Sequence, residues 1–259
     1  MTKALILDCD GVLADTERDG HRVAFNETFE ELGIPLSWSE ADYAALVRIG
    51  GGKERIRSAL TPEVLEQLGV HDDPQEIQRL VAEWHRVKTR KYVEILRSGR
   101  LPARPGVARL INTALDAGWK VAIASTSAKD AVDAVLVEAV GEKTAQKVRV
   151  FAGDIVARKK PAPDIYLHAL AALDLLPDEV VVIEDSGVGC AAAVAAGLRT
   201  VITVSGYTGE DDFAGAALVV TDLGDLGRPS KIVANPHGIA VNGLVNLDVL
   251  QAVRSAPGS

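Results

Sequence analysis

The stretch from Ala4 to Val12, which reads ALILDCDGV, decides the fold. Its first four residues are apolar and mostly branched, as in a short buried strand. Two acids, Asp8 and Asp10, follow one residue apart, and Gly11 comes next. Ligands of open α/β sheets bind at the carboxyl ends of the strands, so this pair is placed to share one hard cation. A turn uses the same residue types, and this stretch alone does not separate the two interpretations.

Further apolar runs and helical patterns alternate along most of the chain. The runs with the composition of buried strands are residues 121–124, 180–183 and 200–204. The helical patterns cover residues 107–117, 128–140, 164–173 and 189–196. Strands that alternate with helices are typical of parallel βαβ units. The sequence therefore predicts an α/β fold with a doubly wound, Rossmann-like parallel sheet.

One long segment interrupts this alternation. Helical periodicity without a convincing strand covers residues 24–32, 63–69 and 76–97. We therefore expect a core domain of residues 1–14 and 103–222 and an inserted all-helical cap domain of residues 15–102. Prolines and a glycine at residues 102–106 suit a hinge. Residues 223–259 form a C-terminal extension of unknown role, for which we predict at most a short hairpin.

Composition limits the classes of function. The 259 residues carry a net charge of −8, so we expect neither nucleic acid nor a membrane surface as a partner. Cys9 and Cys190 have no spacing that suggests a disulfide framework or a zinc site. The start of the chain lacks the pattern of a signal peptide. We expect a cytoplasmic monomer, or a protein of the plastid stroma whose transit peptide has been removed.

A second acidic pair, Glu184 and Asp185, follows the run at 180–183. Two acidic clusters at the ends of two strands would repel each other unless a cation lies between them. Mg²⁺ fits better than a transition metal, because all the implied ligands are oxygens and no histidine accompanies them. The two clusters together favour a metal site over two unrelated turns.

Two further segments carry polar groups suited to phosphate. Lys160 precedes two prolines and the start of a helix, and its ammonium could offset charge on a phosphoryl group. Ser125 and Thr126 follow the run at 121–124, where hydroxyls and backbone amides could hold phosphate oxygens. A solvated basic loop is the alternative for Lys160, and helix capping is the alternative for the two hydroxyls.

A glycine pattern after the second acidic pair needs its own interpretation. Gly187, Gly189 and Ala192 satisfy a loose dinucleotide-binding fingerprint. Glu184 and Asp185 stand directly before it, where they would repel a pyrophosphate, and the pattern comes late in the fold. We therefore do not expect a nucleotide cofactor.

These four signals, in this order, resemble the haloacid dehalogenase-like phosphatase superfamily over about residues 3–221. The resemblance implies that Asp8 is the nucleophile and Asp10 the general acid/base. It implies that Ser125 and Lys160 are the hydroxyl and the lysine of the family's second and third motifs. Mg²⁺ would be held by Asp8, Asp10, Glu184 and Asp185, with one of the first two ligating through its backbone carbonyl.

The inserted segment resembles the small helical cap of a subclass that includes β-phosphoglucomutase and several sugar-phosphate phosphatases. Several short segments resemble, more closely, the subgroup associated with the Calvin cycle, which removes the 1-phosphate of xylulose 1,5-bisphosphate. These segments are residues 15–17, His21, residues 24–26, 51–55, 151–154 and 205–208.

Substrate selection is expected from a few polar residues. Lys53 could clamp a distal phosphate, with Arg55 as a weaker candidate, and Thr126 stands beside the phosphate-binding Ser125. Glu17 and His21 could bind sugar hydroxyls or couple cap closure to the acid/base. As alternatives, Glu17 could belong to a first helical turn, and His21 and Lys53 could lie on a helix surface.

The predicted function is Mg²⁺-dependent hydrolysis of a small sugar phosphate, such as xylulose 1,5-bisphosphate, through an aspartyl-phosphate. A phosphomutase like β-phosphoglucomutase is the main alternative, because it needs the same two aspartates and differs in how it excludes water. A non-enzymatic binding module has no use for both aspartates, the lysine and the second acidic pair together.

Overall fold

The structure of the protein is a computed structural model that describes residues 3–49, 52–71 and 73–256. Gly51 of the glycine-rich segment, the first two residues of the expected core and the last three of the expected extension lie outside these ranges. The chain divides into two compact units. The core unit contains residues up to Asp15 and those from Pro102 onward, and the cap unit is Thr16–Leu101.

Seven strands form one sheet in the core unit. They are β1 (Ala4–Leu7), β2 (Lys120–Ser125), β3 (Arg149–Ala152), β4 (Val180–Glu184), β5 (Arg199–Thr203), β6 (Leu218–Val220) and β7 (Ile232–Ala234). The sheet order is β3-β2-β1-β4-β5-β6-β7, and every neighbouring pair is parallel except β6 with β7. The predicted α/β fold with a Rossmann-like parallel sheet is confirmed.

The described residues also contain eleven α-helices. In the cap unit they are α1 (Arg22–Leu32), α2 (Glu40–Leu46), α3 (Gly52–Ala59), α4 (Pro62–Leu68) and α5 (Pro74–Arg97). In the core unit they are α6 (Val107–Asp116), α7 (Lys129–Val140), α8 (Glu142–Ala145), α9 (Asp164–Leu173), α10 (Gly187–Ala195) and α11 (Leu247–Ser255). None of them is long and apolar enough to cross a lipid bilayer.

The register of the central strands positions the site. β1 and β4 are buried along their whole length, as expected for parallel strands covered on both faces. Leu7 pairs with Ile123 of β2 on one side and with Ile183 of β4 on the other. The carboxyl ends of three strands therefore lie side by side, and the residues that follow them converge at one edge of the sheet.

The C-terminal segment differs from the prediction. Its described residues, 223–256, belong to the core unit and add β7 and α11. Asn246 caps α11 by accepting a hydrogen bond from the amide of Val249, and the helix buries an apolar face. The segment has more structure than the short hairpin that we predicted, because it also contains α11. The short, exposed β7 exists through its antiparallel pairing with β6.

The described part of the cap unit contains helices and no strand. A π-helical turn, Thr16–His21, leads into α1. The unit is built around an aromatic cluster in which Trp38 contacts Phe25 and Phe29 edge-on, with centroid distances of 4.8 and 4.9 Å. Asp73 starts α5 by accepting hydrogen bonds from two amides of its first turn. The sequence pattern did not predict α2, α3 or the π-helical turn.

Candidate active site

Three acids meet where β1 and β4 end. Asp8 follows β1, Glu184 is the last residue of β4, and Asp185 comes directly after it. One carboxylate oxygen from each lies within 4.8 Å of the others. All three residues are buried, with exposed fractions of 7%, 1% and 7%. This arrangement is a candidate metal centre, and we call these residues with Lys160 the core cluster.

Lys160 brings the one ammonium of the core cluster to the acids. Its Nζ donates to Asp8 Oδ1 at 2.6 Å, to Glu184 Oε1 at 2.5 Å and to the carbonyl of Ala124 at 3.1 Å. Burial opposes the charge of Lys160, but attraction to Asp8 and Glu184 outweighs it and raises the pKa of the ammonium. Lys160 is therefore charged, and it joins the ends of β1, β2 and β4.

Two neighbours set the position of Glu184. The Tyr166 hydroxyl, from the first turn of α9, donates to Glu184 Oε1. Gly189 lies so close that a Cβ there would collide with the Glu184 carboxylate. Gly189, which forms part of the loose dinucleotide-binding pattern, is thus required because a side chain there would collide with Glu184.

The unbalanced negative charge shows in the acids' pKa values. Burial raises the pKa of Asp8 to about 6, because the attraction of Lys160 offsets only part of the effect of burial. Burial and the charges of Glu184 and Asp8 raise the pKa of Asp185 well above its usual range. Three buried carboxylates facing one ammonium form a set of oxygen donors that fits a hard divalent cation such as Mg²⁺.

The carboxylate of Asp10 is not part of this group of three acids. Its Oδ2 instead accepts a hydrogen bond from the Ser127 hydroxyl. Ser127 belongs to the turn after β2, and its amide donates to Ser125 Oγ at 3.2 Å. Ser125 is buried and Thr126 is partly buried in the same turn. The side chain of Asp10 thus lies against the turn that follows Ser125. Its role as a metal ligand remains a prediction.

Within the cap unit, two of the predicted substrate residues bind each other. Arg55 donates to both carboxylate oxygens of Glu17, at 2.7 and 3.0 Å, and the Tyr43 hydroxyl donates to Glu17 Oε2 at 2.7 Å. Arg55 also donates to the carbonyls of Val47 and Ile49. Glu17 lies in the first turn of a helix, as the alternative supposed, and that helix is the π-helical turn Thr16–His21.

His21, at the end of that turn, lies 2.7 Å from the Nζ of Lys88, measured from its Nδ1. The imidazole packs on Tyr92 with a centroid distance of 4.0 Å. Burial and the ammonium of Lys88 lower the pKa of His21 to about 3, so the ring is neutral near pH 7. His21 is therefore not an ordinary surface residue. Lys53, by contrast, is exposed near the start of α3.

Residues 2–197 match the haloacid dehalogenase-like hydrolase family. The chain belongs to this family. It is 46% identical to the protein CbbY of Rhodobacter capsulatus over 222 residues, which are 85% of this chain and 93% of that protein. It is 42% identical to a CBBY-like protein of Arabidopsis thaliana over 225 residues, 87% of this chain and 70% of that one.

A solved structure is similar as well. A mutant of CbbY from Rhodobacter sphaeroides, in complex with xylulose 1,5-bisphosphate, has 39% sequence identity and a TM-score of 0.69. The alignment covers 88% of this chain and 98% of that one. The family and these relatives identify the present haloacid dehalogenase-like hydrolase as a phosphatase enzyme.

Several residues that shape the sites of this haloacid dehalogenase-like hydrolase were not predicted. They are Tyr43, Lys88, Ser127 and Tyr166. Ser127 stood in the segment that was singled out, so its hydroxyl could have been included with its neighbours. Tyr166 lies six residues after Lys160, in the first turn of the helix that the prolines introduce. Tyr43 and Lys88 have no sequence signal, because their partners are 26 and 67 positions away.

Proposed function

We propose that this protein is a Mg²⁺-dependent sugar-phosphate phosphatase that forms an aspartyl-phosphate on Asp8. The observation that carries the proposal is the core cluster. Its buried acids leave two negative charges uncompensated by Lys160 when all are ionised. A divalent cation matches that charge, and its bound form supplies charge stabilisation to the transferring phosphoryl group. Asp8, Glu184 and Asp185 would hold the ion, with the backbone carbonyl of Asp10.

The chain's own residues then divide the chemistry in two steps. The Asp8 carboxylate bonds to phosphorus while the bond from phosphorus to the sugar oxygen breaks, and Asp10 protonates that oxygen. A water then attacks the same phosphorus, Asp10 takes its proton, and the bond to Asp8 breaks to release phosphate. Ser127 orients Asp10 for both transfers through its hydrogen bond to Oδ2. Ser125 and Thr126 would bind phosphate oxygens.

We propose a bisphosphorylated ketose, such as xylulose 1,5-bisphosphate, as the substrate. The CbbY complex with that compound, at 39% identity, supports this choice. Lys53 has an exposed ammonium and is our candidate for the distal phosphate. Glu17, His21 and Arg55 are our candidates for the sugar, and their contacts with one another and with Lys88 would keep their orientation fixed. Relatives in bacteria and in a plant support a location in the cytoplasm or the plastid stroma.

The decisive experiment offers the purified protein Mg²⁺ and a panel of sugar monophosphates and bisphosphates. Released phosphate and isomerised sugar phosphate are measured in the same reactions. We expect phosphate release, fastest with xylulose 1,5-bisphosphate, and none without a divalent cation. Isomerised product in place of phosphate would establish the phosphomutase instead. Asp8→Asn should abolish turnover and the phosphoenzyme, and full turnover of this variant would refute the nucleophile.

The distal-phosphate role of Lys53 has its own test. Lys53→Ala should raise KM for a bisphosphate much more than for a monophosphate, because only the bisphosphate uses the second anion site. Arg57→Ala is the matched control, since Arg57 is an exposed cation of the same helix. Equal losses with both substrates, or equal effects of the two variants, would remove Lys53 from the site.

A further inference from the structure

Arg104 ties three loops of the core unit together. It lies in the segment before α6 for which the sequence pattern predicted a hinge. Its guanidinium donates to the carbonyls of Gly11, Thr203, Val204 and Thr221. The distances from the guanidinium nitrogens to the carbonyl oxygens of Thr203, Val204 and Thr221 are 2.8, 2.6 and 2.7 Å. These acceptors belong to the loop after β1 and to the ends of β5 and β6.

Two of these loops flank Asp185. Gly11 has φ of +76° and lies so close to Asp185 that a Cβ would collide with the carboxylate. Ser205, the residue after Val204, also donates a side-chain hydrogen bond to Asp185. The carboxylate of Asp185 therefore contacts two residues that are linked to Arg104. The carbonyl of Gly11 accepts a hydrogen bond from Arg104, and so does the carbonyl of Val204, which precedes Ser205.

We propose that Arg104 is a positioning residue for the divalent cation, acting through Asp185 and the loop that carries Asp10. The inference rests on the proposed function, because it assigns Asp185 as a ligand of Mg²⁺. Residues that orient a metal ligand typically affect metal affinity or activity by about 10- to 100-fold when they are changed. Arg104 touches neither the substrate nor the reacting atoms in this assignment.

The number and geometry of the donors explain why arginine is needed here. A guanidinium presents five N–H groups in a rigid plane, and Arg104 uses both terminal nitrogens on separate pairs of carbonyls. A lysine ammonium has three donors at one point and cannot reach acceptors on both sides. Arg104→Lys should therefore keep the charge but lose the bridge between the β1 loop and the β5 and β6 ends.

Arg109 provides a matched control five positions along the chain. Its guanidinium also donates to three backbone carbonyls, those of Leu223, Gly224 and Val245, at 2.8, 2.7 and 3.1 Å. None of these residues belongs to the core cluster or to the loops beside Asp185. Arg109→Lys thus removes a comparable anchor of the C-terminal segment without touching the setting of the acids.

The test measures Mg²⁺ binding directly by titration calorimetry on wild type, Arg104→Lys, Arg104→Met and Arg109→Lys. We expect the dissociation constant for Mg²⁺ to rise about tenfold or more in both Arg104 variants and to stay within about twofold in Arg109→Lys. Turnover at saturating sugar phosphate should fall with the Arg104 variants, while KM changes little. Thermal unfolding should show that Arg109→Lys also loses stability, so that lower stability by itself does not explain weaker binding.

Hydrogen exchange of residues 9–14 gives a second readout that needs no metal, and we expect faster exchange there in Arg104→Lys. Unchanged Mg²⁺ affinity and unchanged exchange in Arg104→Lys, with a lower unfolding temperature only, would overturn the inference and leave the proposed function standing. Absence of Mg²⁺ binding by the wild-type protein would overturn both. If Arg104→Met fails to fold, Arg104→Lys decides between these results.

Discussion

The core unit and the cap unit each bury a cluster of ionisable groups, and the two clusters carry opposite excess charge. In the core cluster, three carboxylates face the single ammonium of Lys160. The pKa of Asp8 is raised to about 6, mainly by burial, and burial also raises the pKa of Asp185 well above its usual range. In the core cluster, ionisation of Asp8 and Asp185 is thus disfavoured, because the site already carries excess negative charge.

The cap unit shows the reverse. We call Glu17, Arg55, Lys88, His21 and Tyr43 the cap cluster. Its carboxylate, Glu17, pairs with Arg55, and the Nζ of Lys88 lies beside His21, so two basic side chains accompany one acid. Burial and Lys88 lower the pKa of His21 to about 3, so the unit resists a further positive charge. The pKa directions of Asp8 and His21 therefore reflect opposite charge imbalances in the two clusters.

The largest expected effect comes from removing the only ammonium of the core cluster. Lys160→Met leaves Asp8 and Glu184 without their charged donor, and we expect kcat to fall by about a thousandfold or more. Binding of Mg²⁺ should not weaken, because the cluster becomes more negative. Phosphate release and calorimetric Mg²⁺ titration measure the two effects.

Lys159→Met is the neighbouring control for this variant. Lys159 pairs with Asp154 on the surface, and both side chains are largely exposed, so its loss should leave kcat within about twofold. If Lys160→Met kept a tenth of the wild-type kcat, or bound Mg²⁺ more weakly than wild type, the charge balance assigned to the core cluster would be wrong.

A smaller effect is expected from the ion pair of the cap cluster. Arg55→Met removes the buried guanidinium that pairs with the partly buried Glu17 carboxylate and should lower the free energy of unfolding by about 3 kcal/mol. The double variant Glu17→Gln/Arg55→Met should recover part of this loss, because no uncompensated charge is left. Urea unfolding followed by tryptophan fluorescence reports on this unit, which contains Trp38 and Trp84.

The exposed pair of Arg90 with Glu31 is the control for that experiment. Its side chains are 48% and 38% exposed, so Arg90→Met should cost less than about 1 kcal/mol. Similar losses in Arg55→Met and Arg90→Met, or no recovery in the double variant, would mean that the Glu17–Arg55 pair is not a buried charge pair that the cap unit depends on.

The predictability of the fold differs between strands for a physical reason. β1, β2, β4 and β5 are continuous apolar runs because both faces of a central parallel strand are covered, and they could be predicted. β3 begins with the exposed Arg149 and is not a continuous apolar run, and β6 has only three residues. The exposed β7 exists only through its partner. Edge and short strands are decided by pairing, which a local pattern does not contain.

The candidate sites differ in the same way. Asp8, Glu184 and Asp185 follow buried strands, so the topology of a parallel sheet was enough to expect them together. The cap cluster depends on side-by-side packing of helices that are far apart in sequence. Glu17 and Arg55 are separated by 38 positions, and His21 and Lys88 by 67. Helical periodicity shows which face is apolar but not which polar residues of two helices meet.

The smallest expected effect is a pH dependence that arises in the cap cluster. His21 has a pKa of about 3 in the folded protein and an ordinary value of 6.5 when unfolded. The unfolded chain therefore binds more protons between these values, and stability falls as the pH drops below 6.5, by at most about 1.4 kcal/mol per pH unit. His21→Gln should remove this slope, because glutamine can accept from Lys88 without titrating.

Urea unfolding of wild type and His21→Gln at pH 7, 6 and 5 measures the difference. Asp8 contributes with the opposite sign, since its raised pKa favours the folded state as the pH falls, but it is common to both proteins and cancels. His71→Gln is the control, because it makes the same replacement at an exposed histidine. Parallel curves for wild type and His21→Gln would mean that the buried imidazole accepts a proton beside Lys88. The cap cluster would then tolerate more positive charge, and its contrast with the core cluster would no longer hold.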